Sequence, residues 1–364
     1  MEIKELIKLA KKNEDIKKYN NDILLKVLTK NEYYAFLFLN LNHGKALSKF
    51  LKSNISYIQA LINNPEYNTF QIPKKKGGFR EIQAPDTKLK NIQKNLNFFL
   101  QSYYLLIKPH CVHGFFSNLR NYSYSNNIVS NALFIKVKKY VLNIDFKDFF
   151  TNISARMLLK MFMSELFQFP ENLATGLTLL TTFKGFLPTG APTSPILSNF
   201  ICMQMDIELE KFCALNNINY TRYADDLTFS MNEKFNDEML DIISIINRNG
   251  FFINEKKLRI LSKFRKQVVT GIVVNEKVNV DRKYIKKVRA MLHDLKVNGL
   301  EAAAKNHFKC LENPSEKLTN RFLFRLSGYI DFIGNVRSKN DFLYIKYKNE
   351  LTHFHNEKLL SDLL

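Results

Sequence analysis

The 364-residue sequence predicts an α+β fold, and three observations carry this. Short segments that alternate apolar and polar residues are interspersed with longer segments of helical period. After about residue 278 only helical periods remain. Ile218 to Tyr223 and Leu227 to Met231 both read as strands, which leaves Ala224-Asp225-Asp226 at a tight hairpin tip.

Residues 1–65 read as helical, with apolar Ile7, Leu24, Leu25, Val27, Leu28, Leu37, Leu41 and Leu47. Gln71 to Ala84 reads as two strands around a basic Lys74-Lys75-Lys76-Gly77-Gly78 turn. Leu89 to Leu106 reads as a helix and Lys139 to Phe146 as a strand, with helices following to about Thr182. Pro188, Pro192 and Pro195 interrupt the chain before another helix. Ser194 can cap that helix and Pro195 suits its first position. Leu197, Ile201, Met205 and Phe212 then fall on one face.

Glu238 to Arg248 is a further helix, and Gly271 to Val280 reads as a strand pair. Asp281 to Val297 forms a helix with Ile285, Val288, Leu292 and Leu295 inward, and Asn298-Gly299 is its stop signal. A second helical block runs from about Lys317 to the end.

Composition narrows the class. A hydrophobic content of 46% can fill two or three subdomains. Lys and Arg number 54 against 34 Asp and Glu, a net charge of +20 with pI near 9.6. That balance points to a polyanion, either nucleic acid or an acidic membrane surface. No apolar run approaches the roughly 18 residues of a spanning helix. Met1 to Lys18 is charged throughout, so a signal peptide is not expected; with nucleic acid taken as the polyanion, no membrane partner is expected and a cytoplasmic location is. Cys111, Cys202, Cys213 and Cys310 are widely spaced, which suits reduced thiols better than a zinc knuckle or a disulfide framework.

The adjacent anions Asp225 and Asp226 repel each other, a cost tolerated at an exposed tip or around a bound cation. An isolated pair reads as a solvated turn. Hard cations such as Mg²⁺ take carboxylate oxygens and share their other sites with substrate phosphates. Asp145 is the natural third carboxylate, since the strand period puts it on the face of Val141 and Asn143, opposite Leu142 and Ile144. If the strands pair, three carboxylates could hold two ions about 4 Å apart.

Three blocks in order resemble the reverse transcriptase family: Asp145-Phe146-Lys147-Asp148-Phe149-Phe150, then Gly185 to Pro195, then Tyr223-Ala224-Asp225-Asp226. The resemblance covers about Gln71 to Asp341 and implies a right-hand polymerase fold. Its parts would be an N-terminal helical segment (1–65), fingers (66–140), palm (141–278, with fingers insertions) and helical thumb (279–364). It implies an RNA-directed DNA polymerase with catalytic Asp145, Asp225 and Asp226. These and the Phe146 backbone carbonyl would hold two Mg²⁺ ions, with Mn²⁺ serving in vitro.

Further roles carry over by position. Arg80 matches the fingers arginine that binds the incoming deoxynucleoside triphosphate, and a guanidinium fork suits phosphate oxygens. One of Lys74 to Lys76 would assist it, with Lys76 the candidate and a solvated turn the competing reading. Phe150, five residues after Asp145, matches the bulky position that excludes a ribose 2′-hydroxyl; core packing is an equally good reading of Phe149. Thr189 and Gly190 would line the nucleotide, although many relatives carry Gln where Thr189 stands. Lys257 matches the palm lysine beside the triphosphate, a surface lysine being the alternative.

Two more blocks resemble the retron branch. Val269-Thr270-Gly271 with Ile272-Val273-Val274-Asn275 is similar to the Val-Thr-Gly box of those enzymes. His113-Gly114-Phe115 and Asn127 to Ala132 are similar to their Asn-Ala-x-x-His region, except that Ile135 stands where the His is expected. RNA contact is therefore expected at Asn131, Val269, Thr270 and Gly271. Arg282, Lys283, Lys286, Lys287 and Arg289 lie opposite Ile285 and Val288 and suit phosphate contacts, with a solvated basic face as the bland alternative.

This resemblance implies a structured non-coding RNA as template and primer, priming from a guanosine 2′-hydroxyl and a branched RNA–DNA product. It also implies host RNase H in trans and an effector partner in anti-phage defence. The chain ends soon after Leu326-Ser327-Gly328-Tyr329-Ile330, so a compact enzyme without a separate nuclease domain is expected. Two other readings stay open: a group II intron-like or other defence-associated reverse transcriptase, and a catalytically idle RNA-binding scaffold for an effector.

Overall fold

The computed structural model describes residues 3–12, 28–74, 77–117, 126–135 and 138–361. In chain order the helices and strands are α1 (Ile3–Lys12), α2 (Lys30–Leu39), α3 (Gly44–Phe50), α4 (Ile55–Asn63), β1 (Tyr67–Pro73), β2 (Phe79–Pro85) and α5 (Thr87–Ile107). Next come α6 (Ile128–Ile135), β3 (Tyr140–Asp145), α7 (Phe149–Asn152), α8 (Ala155–Met163), α9 (Glu171–Thr181), α10 (Ser194–Leu215), β4 (Asn219–Tyr223) and β5 (Asp226–Met231). The chain continues through α11 (Asp237–Arg248), β6 (Arg259–Ser262), β7 (Val268–Val269), β8 (Ile272–Val273), α12 (Arg282–Phe308), α13 (Glu316–Arg337) and α14 (Phe342–Ser361). Among the described residues no helix is long and apolar enough to cross a membrane. Leu24, Leu25 and Val27 lie outside the described residues.

β1 and β2 form an antiparallel ribbon running from Tyr67↔Pro85 to Pro73↔Phe79. β4, β5, β3 and β6 make a four-stranded sheet in that order, and β7 pairs with β8. The chain gathers into two compact units. One comprises residues 1–125, 143–227 and 235–259; the other comprises 126–142, 228–234 and 260–364.

In the first unit local signals set the helix starts. Thr29 and Glu32 form a capping box at α2. Asp86 caps α5 by accepting from Leu89 N–H at 2.9 Å and Lys88 N–H at 3.0 Å. Leu89, Ile92, Leu96, Leu100 and Tyr103 then recur at helical spacing and are buried.

α10 departs from expectation twice. Ser194 is already helical and its Oγ donates to the Pro188 carbonyl at 2.7 Å, so Thr193, not Ser194, is the N-cap residue. The helix is also buried on more than one face: Ile196, Phe200, Cys202 and Met203 are enclosed along with Leu197 and Met205. A single apolar stripe understates such a central helix, because small and polar residues such as Ser198 and Asn199 also go inside.

In the second unit α12, α13 and α14 bury Val288, Leu292, Leu295, Phe322, Leu326, Ile330, Ile333 and Leu351 in one core. Each such side chain contributes roughly 1.5–3 kcal/mol when removed from water. α13 and α14 approach closely at Gly334, where a Cβ would lie 2.6 Å from the Tyr344 ring. Gly299, at φ 75° and ψ 175°, breaks α12 into two segments, as its stop signal predicts, and helix resumes to Phe308. The strand pair expected over Gly271 to Val280 lies earlier in the chain. Thr270 (φ 47°) and Gly271 (φ 88°) form the turn between β7 and β8, the two positive φ values that a two-residue hairpin turn requires. Only the Val273↔Asn279 bridge extends pairing beyond it.

Candidate active site

The hairpin tip is fastened from beneath. Strand alternation puts Tyr220 and Arg222 on one face of β4, and both reach Asp206 on α10. Tyr220 Oη donates to Asp206 Oδ1 at 2.8 Å, and Arg222 Nη2 donates to Asp206 Oδ2 at 2.6 Å. Arg222 Nη1 then donates to Asn199 Oδ1 and to the Ala224 carbonyl, each at 3.0 Å. Arg222 and Asp206 are both fully enclosed. Burial alone would lower the guanidinium's pKa, but the Asp206 carboxylate overrides it and holds the value well above the usual range. This brace grips the one residue of the tip whose backbone is left-handed, Ala224 at φ 61°.

Asp225 and Asp226 follow directly. The Asp225 carbonyl accepts from Phe146 N–H at 3.3 Å, which sets the end of β3 beside the tip. Loss of hydration raises the Asp225 carboxyl, and the Asp145 charge raises it further, while Lys257 and Arg80 pull it down. Loss of hydration in the crowded tip, repulsion from Asp225 and Asp145, and a hydrogen bond with Asp145 push Asp226 up to about 7. Asp226 still keeps an exposed edge, so water screens part of this repulsion. Lys257 Nζ donates to Asp145 Oδ2 at 2.6 Å, and the Asp145 carbonyl accepts from Asn254 N–H at 2.7 Å.

Asp145 thus raises the proton affinity of both Asp225 and Asp226, and the three carboxylates together form a site for positive charge. Among the described residues no three His, Cys, Asp or Glu side chains make a ready-made cage for one ion. Magnesium does not need one, because it binds through one or two carboxylates and completes its shell with water and substrate phosphate. The hard-oxygen donors of Asp145, Asp225 and Asp226 fit such an ion.

Around this centre the expected nucleotide residues fall into different situations. Arg80 is exposed on β2, close enough for its charge to act on Asp225. Gln83 N–H donates to the Thr189 carbonyl at 2.7 Å. Gly190, at φ 129°, passes so close to β2 that a Cβ would lie 2.9 Å from Ile82 Cγ2. Phe150 is half-buried, whereas Phe149 is 5% exposed and stacked on Phe146 at 5.2 Å. The nucleotide-lining role expected of the Phe149 side chain therefore gives way to core packing. Lys76 lies outside the described residues.

The expected RNA-contacting residues belong to the second unit and also divide. Arg282, Lys283, Lys286 and Lys287 are exposed, with Lys287 Nζ 4.5 Å from the Tyr329 ring centre. Thr270 Oγ1 donates to the Ile128 carbonyl at 3.4 Å and Gly271 is exposed. Val269 is fully buried and Asn131 is 1% exposed, so neither side chain presents a surface to a polyanion. Their period and spacing gave no sign of this, because α6 packs on β7 and β8 only in the folded chain.

The brace itself, Asp206, Asn199 and Arg222, is absent from the expected site. One signal could have found it: an Asp inside an otherwise apolar stretch of α10, and an Arg at a strand position whose alternating neighbours point inward.

Comparisons with known proteins follow the same line. The sequence family described as reverse transcriptase (RNA-dependent DNA polymerase) matches residues 72–305. The retron Ec86 reverse transcriptase of Escherichia coli is 31% identical over 228 residues, 62% of this chain and 64% of that protein. The retron Ec83 reverse transcriptase of Escherichia coli is 28% identical over 285 residues, 71% of this chain and 85% of that protein. The chain thus spans just under two thirds of the first relative's length. A telomerase from Candida albicans, solved with a fragment of telomeric RNA, superposes with a TM-score of 0.50 at 12% identity, covering 85% of this chain and 65% of that one. That likeness shows a shared right-hand polymerase fold. With Asp145 brought beside Asp225 and Asp226 at one hairpin tip and a family match across most of the chain, this protein belongs to the reverse transcriptase family, and its curated relatives lie in the retron branch.

Proposed function

We propose that the chain is an RNA-directed DNA polymerase of retron type. The observation that carries this is the meeting of Asp145, Asp225 and Asp226 at one tip, with Lys257 bonded to Asp145 and Arg80 nearby. When bound, two Mg²⁺ ions supply a Lewis acid for the primer hydroxyl and neutralise the triphosphate. Asp145, Asp225, Asp226 and the Phe146 carbonyl would hold them. Arg80 grips phosphate oxygens with its fork. Lys257 is exposed and tied by a single bond, so it can swing from Asp145 to a phosphate. Phe150 excludes the ribose 2′-hydroxyl, and Thr189 and Gly190 flank the nucleotide.

The proposed fingers, palm and thumb are residues 66–140, 141–278 and 279–364, preceded by a helical segment of unassigned role. The thumb residues Arg282, Lys283, Lys286 and Lys287 hold RNA phosphates. The substrate is a cognate structured RNA, copied in part into branched single-stranded DNA, and an effector protein completes a defence system in the cytoplasm. The likeness to retron enzymes supports this finer reading.

Two measurements test it. Purified protein with an RNA template, primer and dNTPs should incorporate label only with a divalent cation, and Asp225→Asn should abolish it. DNA that co-purifies should shift after RNase treatment and resist full linearisation because of a 2′–5′ branch. Free linear DNA would move the chain toward an intron-like or other defence polymerase. Absence of incorporation on any template, including co-purified RNA, would favour a binding scaffold.

A further inference from the structure

Between α5 and α6 the chain runs beside β4. Arg222 N–H donates to the Cys111 carbonyl at 2.8 Å, and the Arg222 carbonyl accepts from His113 N–H at 2.9 Å. Gly114 then passes so close to the hairpin tip that a Cβ would lie 2.8 Å from Ala224 N and 3.2 Å from the Tyr223 carbonyl carbon. Only glycine allows that approach. The Gly114 carbonyl accepts from Asn199 Nδ2 at 3.0 Å, the same Asn199 that braces Arg222.

Phe115 follows with φ 66°, a backbone region that non-glycine residues hold only when their surroundings impose it. That conformation lays its ring on Phe150, with centroids 5.7 Å apart and planes 30° apart. Phe150 needs such support. It sits in the four-residue helix α7, which is entered through Asp148 in the left-handed region. Its other ring neighbour is Phe149, at 5.3 Å. Phe149 is itself fixed by Phe146 and Phe251, at 5.2 and 6.0 Å.

We infer that Phe115 is a positioning residue for sugar discrimination: anchored through Gly114 to the hairpin that carries Asp225 and Asp226, its ring holds Phe150 where a ribose 2′-hydroxyl would clash. One short segment thus couples the acidic tip to the surface that judges the sugar. The inference rests on the proposed polymerase activity and on Phe150 as the excluding side chain.

The test is the ratio of kcat/KM for a dNTP to that for the matching rNTP on a fixed RNA template and primer. Phe150→Ala should lower the ratio most. Phe115→Ala should lower it roughly three- to tenfold, the range expected for losing one aromatic pair, chiefly through a lower KM for the rNTP. Phe115→Tyr, which keeps the ring, should retain the wild-type ratio. Phe115→Ala combined with Phe150→Ala should be no looser than Phe150→Ala alone, since both act through one ring. If Phe115→Ala weakens dNTP and rNTP use equally while Phe150→Ala loosens the ratio, the Phe115 role falls and the gate stands. If neither variant moves the ratio, the gate reading falls as well. Failure of the wild type to incorporate any dNTP would instead overturn the polymerase reading beneath both.

Discussion

The first compact unit carries two hairpin tips built in opposite ways. The tip between β4 and β5 is gripped from below by Arg222, Asp206, Asn199 and Gly114, and its acidic residues are crowded. The β1–β2 ribbon is open: β1 is exposed on both faces from Asn68 to Pro73, and Phe70 on β1 and Phe79 on β2 are 49% and 64% accessible. It is held at its base through Gln83 and Thr189. Anions that repel each other need a braced frame to stay together, because relaxation apart would lower their energy. A cation standing in the open, as Arg80 does, stays accessible to an anion from solution. The same element type therefore serves as a rigid cradle at one place and as an accessible arm at another.

Four outcomes would break or sharpen that contrast. The largest effect belongs to the cradle's cargo. Asp225→Asn should cut single-turnover dNTP incorporation on the order of a thousandfold, the scale of losing several kcal/mol of transition-state charge stabilisation, with thermal stability unchanged or raised. A tenfold loss or less would place the essential charge elsewhere.

The brace comes next. Arg222→Met leaves Asp206 buried and unpaired and should cost about 3–5 kcal/mol in urea unfolding. The double variant Arg222→Met/Asp206→Leu should recover most of that stability. If it recovers stability but not activity, the brace acts by aiming the tip; recovery of both would reduce it to packing.

On the open ribbon the balance should invert. Arg80→Ala should raise the KM for dNTP roughly ten- to a hundredfold, the loss expected for charge-assisted hydrogen bonds to phosphate, with Tm unaffected. A lowered Tm would show that the ribbon is not the independent arm its exposure suggests.

The smallest effect concerns pH. Asp226 is pushed up to about 7 in the folded chain, so between about pH 4 and 7 the folded state holds a proton that the unfolded state has released. Stability from this group is therefore full below the ordinary carboxylate range and is lost as pH rises toward 7. Asp225, also raised, contributes in the same direction. Glu32, Asp281, Asp331 and Asp341 are lowered and contribute oppositely near pH 4, so the useful quantity is a difference. In EDTA, the Tm of wild type minus that of Asp226→Asn should fall with rising pH across this window, and added Mg²⁺ should flatten it. A difference that rises instead would mean that the Lys257 charge outweighs the loss of hydration and the carboxylate repulsion at Asp226.

Much of the fold was legible because its signals are local. Asp281 caps α12 through a bond from Lys283 N–H two positions away, and Gly299 interrupts that helix by its own backbone angle. The strand alternation around Asp225-Asp226 survives as β4 and β5 with one residue of adjustment. Ser194 misled because the first helical turn and the cap offer a hydroxyl similar choices, and the Pro188 carbonyl took it. Phe149 reads as nucleotide lining or as core with equal ease, and Val269 and Asn131, expected to contact RNA, are buried, since burial depends on which segment later covers a residue.

The sequence by itself determined the α+β class, the paired acids at a turn, the order of the family blocks and the polyanion-seeking charge, because each is written in residue type and spacing. Only the tertiary structure decided that Arg222 would spend its charge on Asp206 instead of on a ligand, and that Lys257 would sit on Asp145, 112 positions away in the chain. The same holds for Phe115, whose ring lies against Phe150. Such pairings depend on desolvation and close packing between segments far apart in the chain, and no local propensity encodes them.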